Sequence, residues 1–281
     1  MTNERYTHGH NTTVVAAHAA RTAQNSAAFL LDRLKTGHRL LDVGCGPGSI
    51  TVDLAALVEP GEVIGIDAAA PVLDQARALA RSRGQANVRF EQADTYTLPF
   101  EDASFDVVYA HQVLQHVARP VEALREMHRV LAPGGLLAVR DADYATMVHA
   151  PRDARLDRWL QLYDHVARGN GGEPNAGRYL RGWVHTAGFR EETSTASAWW
   201  YADPDACATW GHGWASRVSE GAFAEQAVAS GEATAEELQS LAQAWREWAS
   251  QPAAYFAFVH GEVLATKTSL PTGTAPSGTA P

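Results

Sequence analysis

Short apolar runs and amphipathic stretches alternate along the first half of the chain. Runs of β character occupy 39–44 (RLLDVG), 62–67 (EVIGID), 88–94 (VRFEQAD), 105–110 (FDVVYA) and 135–143 (GLLAVRDAD). Between them, ITVDLAALV (50–58), APVLDQARALARSRG (70–84) and PVEALREMHRVLAPGG (120–135) carry helical spacing, the last expected to stop at Pro133, Gly134 and Gly135. An alanine-rich helix from Val14 to Leu34, with Gly37 as its stop, is expected ahead of them. Strand and helix in alternation imply an α/β fold: a doubly wound, largely parallel sheet with helices on both faces. In such sheets ligands sit at the carboxyl ends of the strands.

After Tyr144 the alternation lapses. Residues 151–169 place Leu156, Trp159, Leu160, Tyr163 and Ala167 on one helical face, ending at Gly169. The turn residues of NGGEPNAGRYL follow, then a short helix ending near Gly188 and a β-like run at 190–201. The interval from Pro204 to Pro252 reads as helical. Thr234 with Glu237 fits a capping box, and Leu238, Leu241, Trp245 and Trp248 recur at helical spacing. YFAFVHGEVLATK (255–267) reads as the last strand, which makes 204–252 a helical cap inserted between strands six and seven. The expected organisation is therefore an N-terminal lid segment and helix (1–36), a core (37–150), the remaining strands with the cap (151–268), and a low-complexity tail (269–281) expected to be mobile.

Composition narrows the partners. A formal net charge of -9 over 281 residues argues against a phosphate-backbone partner, which needs a clustered basic surface. No nucleic acid is expected, and a small molecule is the better fit. Cys45 and Cys207 are the two cysteines, too few for a disulfide framework or a four-thiolate zinc site, and point to a cytoplasmic protein. No leader-like pattern and no run of eighteen apolar residues is present, so no membrane association is expected. His8 and His10 have no third or fourth ligand at a recognisable spacing, and no metal is assigned.

The strand-to-helix junction LLDVGCGPGSITVDLA (40–55) carries three glycines in five residues, Gly44, Gly46 and Gly48. There they permit φ > 0 and let a ligand lie against bare backbone. About twenty residues on, Asp67 ends the second strand, where a carboxylate can accept from both ribose hydroxyls. Asp94 and Thr95 follow the third strand, so the positions that surround an adenosine all carry polar groups. The spacing is G-x-G-x-G. A nicotinamide-dependent oxidoreductase would show G-x-G-x-x-G, and Ser49 stands where that pattern expects its third glycine.

LDVGCGPG, GIDAAAPVLDQA, QADTYTLPF, FDVVYAHQVLQHV and LREMHRVLAPGGLLAV, in that order, resemble class I S-adenosylmethionine-dependent methyltransferases of the ubiquinone/menaquinone-biosynthesis-like group (methyltransferase type 11). The likeness covers about Arg39 to Ala142 and extends more loosely to YTHGH and ARTAQNSA. It implies a Rossmann-like seven-stranded sheet whose last strand is antiparallel, and S-adenosyl-L-methionine as cofactor. It also implies that Gly44, Cys45 and Gly46 approach the methionine part, Asp67 with Ala68 the ribose, Asp94 the adenine amine and Thr95 the adenine ring. Ala110, His111 and Gln112 would flank the sulfonium, and Arg21 on the first helix the methionine carboxylate. Enzymes of DNA adenine or glutamine amides carry an Asn/Asp-Pro-Pro-Tyr type of segment after the fourth strand; here that place reads AHQVLQHV.

Methyl transfer is an in-line displacement that needs an aligned acceptor and little water. A base, if used, is expected among His116, Asp143, Tyr144, His8, His10 and, in a Tyr6–His10 lid, Tyr6. All eight tryptophans fall after residue 150; Trp159, Trp245 and Trp248 are expected to form the core of the cap, while Tyr144, Arg178, Trp210 and Trp214 are the candidates to line an acceptor site. The expected activity is methylation of a small aromatic or heteroaromatic acceptor, indole- or quinone-like, in secondary metabolism, by a monomer or homodimer. A non-catalytic cofactor-binding protein is the other alternative to the oxidoreductase.

Overall fold

The computed structural model describes Thr7 and residues 21–268. Seven strands form one sheet in the order β3-β2-β1-β4-β5-β7-β6. They are β1 (Leu40–Val43), β2 (Val63–Asp67), β3 (Val88–Gln92), β4 (Phe105–His111), β5 (Leu131–Ala150), β6 (Glu191–Tyr201) and β7 (Tyr255–Thr266). β1 to β5 pair in parallel, and β7 runs antiparallel to both β5 and β6. The order reverses between β1 and β4, which opens a crevice at their carboxyl ends. β1 is buried at all four positions, as a central strand covered on both faces must be.

Alternate residues of the strands feed two cores. Leu41, Val43, Ile64, Val108 and Leu137 pack with Leu124 and Met127 of one helix and Val184 of another. These helices are Pro120–Val130 and Leu180–Thr186. Leu40, Val107 and Tyr109 face the other way, against Ala23, Leu30, Ile50 and Leu54. Numbered in chain order, the helices are α1 (Ala23–Ser26), α2 (Ala28–Leu31), α3 (Ser49–Val58), α4 (Ala70–Ser82), α5 (Pro120–Val130), α6 (Ala154–Gly169), α7 (Leu180–Thr186), α8 (Pro204–Ser219), α9 (Ala222–Ala229) and α10 (Ala235–Ala249).

Three expectations change. The helix expected from Val14 to Leu34 starts afresh at Thr22, whose hydroxyl accepts from the Asn25 amide while the Asn25 side chain accepts from the Thr22 amide. It then breaks at Ala27 (φ -130°, ψ 14°) into two single turns; Val14 to Ala20 lie outside the described residues. α5 ends at Val130 instead of at Gly135, because Leu131 already pairs with Phe105 of β4. β5 runs to Ala150 instead of Asp143, because after an irregularity Val148, His149 and Ala150 pair again with β7.

α6, α8, α9 and α10 gather where the carboxyl end of β6 pairs with the amino end of β7. Trp159 stands at the centre, edge-on to Trp214 (4.4 Å) and Trp245 (4.8 Å), with Phe256 of β7 beneath. Each long helix here is started by a side chain: Asp153, Asp203 and Thr234 accept from the amides of Arg155, Ala206 and Glu237. On α6, Leu162 and Val166 are buried beside Leu156, Trp159 and Tyr163, whereas Leu160 is half-buried. Among the described residues no helix is long and apolar enough to cross a membrane.

Candidate active site

The turn from β1 into α3 uses left-handed backbone at Gly44 (φ 72°), Gly46 (φ 54°) and Gly48 (φ 80°). The glycines serve different ends. A Cβ on Gly44 would collide with the Val113 side chain, and one on Gly48 would lie 2.7 Å from the Ala76 Cβ and 3.0 Å from Phe90, so these two allow close packing. A Cβ on Gly46 would meet none of the described residues within 4 Å. That position faces open space at the end of the strand, a place where a ligand can lie on backbone.

Asp67 stands beside it at the end of β2. Its Oδ2 accepts from the Gly46 amide (3.0 Å) and its Oδ1 from the Ala69 amide (2.9 Å). A carboxylate has about four acceptor sites, so capacity remains for two hydroxyls. The Ala68 carbonyl accepts from Gln92 Nε2. After β3, Asp94 is exposed and accepts from the Tyr96 amide, while the Thr95 hydroxyl is buried and has no partner among the described residues. An orphaned buried hydroxyl next to an exposed carboxylate is a fitting edge for a heterocycle.

Beneath the loop, Arg21, Asp42, Gly44, Ser49, Tyr109 and His111 are among the residues that line a pocket. Asp42 was not singled out in the sequence, although an acidic residue inside the apolar run LLDVG is its signal. Its Oδ2 accepts from Thr51 Oγ1 (2.6 Å), and burial, with the Asp67 charge adding, pushes its pKa up to about 7. Burial and the same two carboxylates push the Cys45 thiol up as well.

At the methionine side expected from the resemblance, Ala110 is fully buried and His111 6% exposed. Gln112 adopts φ 54°, rare for a residue with a side chain, at the end of β4. Its Oε1 accepts from Arg21 Nη2 (2.6 Å), and its Nε2 lies 2.8 Å from His260 Nε2. Beside this chain, Arg140 is fully enclosed and donates to Glu262 Oε1 (3.1 Å) and Ser197 Oγ (3.0 Å); Thr195 Oγ1 also donates to Glu262. Both guanidiniums, Arg21 at 5.4 Å and Arg140 at 4.9 Å, lie against the Trp199 indole. Arg140, Ser197, Trp199, His260 and Glu262 were not foreseen as site residues. The available hint was charge inside strand-like runs, at Arg140 and Glu262.

Several candidates fall elsewhere. His116 follows β4 on a single 3₁₀ turn, Leu114–His116, where its Nε2 accepts from Gln115 Nε2 (3.0 Å). Burial, then the Arg21 charge, pushes its pKa down to about 3. It is a weak base whose ring nitrogen is engaged, which corrects its assignment as the proton acceptor. Asp143 and Arg178, expected as base and acceptor ligand, pair with each other through two 2.6 Å hydrogen bonds. That bidentate pair ties the 176–178 turn to β5 and uses both groups structurally. Tyr144 is 6% exposed and stacks on Tyr163 at 4.3 Å, within the cap core. Trp214 is 1% exposed among Trp159, Tyr163 and Trp245, so its expected place on a pocket wall is also corrected.

The reason for the Trp214 outcome is local. The stretch WGHGW is continuous helix in α8, and Gly211 lets it approach α10: a Cβ there would lie 2.7 Å from the Ala249 Cβ. Trp210, one turn earlier, is half-buried, stacks on Tyr201 (4.3 Å) and lies parallel to Phe258 (5.7 Å). Tyr6, His8 and His10 lie outside the described residues.

A glycine loop and a strand-end carboxylate at the switch point of a doubly wound sheet define a nucleoside-binding enzyme class. The chain belongs to the methyltransferase-domain family, whose profile matches residues 34–186. It is 33% identical to an uncharacterized methyltransferase of Schizosaccharomyces pombe, over 93% of this chain and 96% of that protein. It is 44% identical over 111 residues to the ubiquinone/menaquinone biosynthesis C-methyltransferase UbiE of Azotobacter vinelandii, covering 39% of this chain and 44% of UbiE. The crystal structure of Bacillus subtilis YcgJ superposes with a TM-score of 0.60 at 19% identity, over 88% of this chain and 100% of that one. The protein is an S-adenosylmethionine-dependent methyltransferase.

Proposed function

We propose that this methyltransferase acts on a small, flat aromatic or heteroaromatic acceptor of quinone- or indole-like type. The observation that carries the reading is the group of half-buried and buried rings, Trp199 and Tyr201 at the carboxyl end of β6, Phe258 near the amino end of β7 and Trp210 on α8. Trp199 adjoins His111 (5.7 Å between rings), which lines the pocket under the glycine loop. Such walls suit a planar apolar molecule. The net charge of -9 disfavours nucleic acid, and the UbiE relative is named for quinone biosynthesis.

In this reading the bare backbone at Gly46, the Asp67 carboxylate, and Asp94 with Thr95 hold the nucleoside, and Arg21, Asp42 and Gln112 surround the amino-acid end. The cofactor, when bound, supplies an electrophilic methyl group on a sulfonium. The chain's own task is to hold the acceptor atom in line and exclude water. With His116 and Asp143 engaged elsewhere, positioning carries the reaction, and the acceptor's proton leaves to solvent or is lost before transfer. Cytoplasmic residence, a role in secondary metabolism and a monomeric or homodimeric state complete the proposal.

The test is calorimetric titration with S-adenosylmethionine, S-adenosylhomocysteine and NADH, followed by labelled-methyl transfer to a panel of naphthols, indoles, short peptides and oligonucleotides. Label in the aromatic compounds is the expected result. Label in peptides or oligonucleotides alone would overturn the acceptor assignment.

A further inference from the structure

Arg21, Gln112 and His260 form a chain whose hydrogen-bond directions are settled by chemistry. A guanidinium only donates, so Gln112 Oε1 must face Arg21, and the amide nitrogen of Gln112 then faces His260. That nitrogen donates, so His260 Nε2 accepts. The ring is therefore neutral with its proton on Nδ1, and a doubly protonated ring would set two donors against each other. Burial and the charges of Arg140 and Arg21 keep it neutral as well, lowering its pKa well below the usual histidine value.

The outcome is an N–H that meets no acceptor among the described residues. His260 is 0% exposed, and its Nδ1 has no hydrogen-bond partner among those residues. Buried donors of this kind are rare and costly unless a ligand completes them. The ring lies between Trp199 (4.6 Å) and Phe258 (4.8 Å), with His111 at 6.1 Å. His111 and Arg21 line the pocket beneath the glycine loop, and His260 is tied to that lining from behind, to Arg21 through Gln112 and to His111 by the ring contact.

We propose that His260 Nδ1–H holds an oxygen of the methyl acceptor, so that the enzyme selects aromatic acceptors carrying a phenolic, enolic or carbonyl oxygen. The relay Arg21, Gln112, His260 polarises that donor toward the oxygen and fixes its direction. Aromatic flanks favour a ring oxygen over the other oxygen-bearing group of the site, the cofactor carboxylate. The inference rests on the reading of the previous subsection and names the recognition element within it.

The experiment is equilibrium dialysis of the S-adenosylhomocysteine-loaded protein with 2-naphthol and with naphthalene, alongside calorimetry with S-adenosylhomocysteine alone. Wild type should prefer 2-naphthol by about five- to tenfold, the worth of one net hydrogen bond. His260→Phe should bring the preference within about twofold, and His260→Asn, whose amide N–H can stand in for Nδ1–H, should retain most of it. Equal affinity for the two compounds, binding of neither, or a preference that survives in His260→Phe overturns the proposal. So does a loss of S-adenosylhomocysteine affinity in His260→Phe with an unchanged naphthol preference, which would put the donor on the cofactor carboxylate. Failure of the wild type to bind S-adenosylhomocysteine would instead overturn the functional reading itself.

Discussion

Replacing Gly46 and Gly48 by alanine, one at a time, should separate ligand contact from packing within one turn. Both sit at positive φ, 54° and 80°, where an L side chain costs about 1–2 kcal/mol. For Gly46 that is the structural cost, since its Cβ would meet none of the described residues within 4 Å. For Gly48 the new methyl would stand 2.7 Å from the Ala76 Cβ and 3.0 Å from Phe90, and overpacking adds about 1–3 kcal/mol. Urea denaturation should thus show Gly46→Ala losing about 1–2 kcal/mol and Gly48→Ala about 2–5 kcal/mol. Calorimetry with S-adenosylhomocysteine should show the reverse order. Gly46→Ala should lose more than about 1.4 kcal/mol, or tenfold, because its methyl fills the space where the ligand lies, while folded Gly48→Ala should stay close to wild type. Wild-type affinity in Gly46→Ala would refute the assignment of that open space to the cofactor.

Asp67→Ala should weaken S-adenosylhomocysteine binding by about 1–3 kcal/mol through lost charge-assisted hydrogen bonds, and unchanged calorimetric affinity would count against the ribose position. Trp214→Ala should cost about 3–5 kcal/mol in urea denaturation with cofactor affinity retained, as expected for a core ring; a loss below about 1 kcal/mol would return Trp214 to an open wall. Asp42 has a pKa of about 7 when folded against 3.8 unfolded, so between those values the folded chain binds the extra proton and stability falls as pH rises. Asp42→Asn should remove that fall: its stability relative to wild type should increase from pH 3.8 to about pH 7 and level off above, and a difference independent of pH would contradict the burial argument.

The alternation of strands and helices, the glycine loop and Asp67 were legible because each depends on residues close together in the chain. A run such as LLDVG followed by glycines and an amphipathic stretch can hardly become anything but a buried strand, a bare turn and a helix. The placement of strands six and seven around a helical insertion was legible for the same reason, since Pro204, Pro252 and the Thr234 cap mark the limits of the insertion locally. Even there, spacing could not tell Trp210 from Trp214. They are one turn apart on α8, and what separates them is Gly211, which lets α10 cover one ring and leave the other half-buried.

Tertiary structure alone decided the chemistry around the proposed acceptor site. The order β5-β7-β6 sets Arg140 opposite Glu262, and Thr195 opposite Glu262 in turn, joining residues separated by 122 and 67 positions. It likewise carries His260 to Gln112 across 148 positions and leaves one imidazole N–H buried and unmatched among the described residues. Strand periodicity says which face such residues occupy, but not which strands will be neighbours. Sequence alone therefore determined the alternation of strands and helices and the glycine loop, through local backbone preference and burial period. Pairing Asp143 with Arg178, engaging His116 and aligning Arg21, Gln112 and His260 required the chain to close on itself, because a charge or a polar hydrogen acquires its role only from the partner it meets.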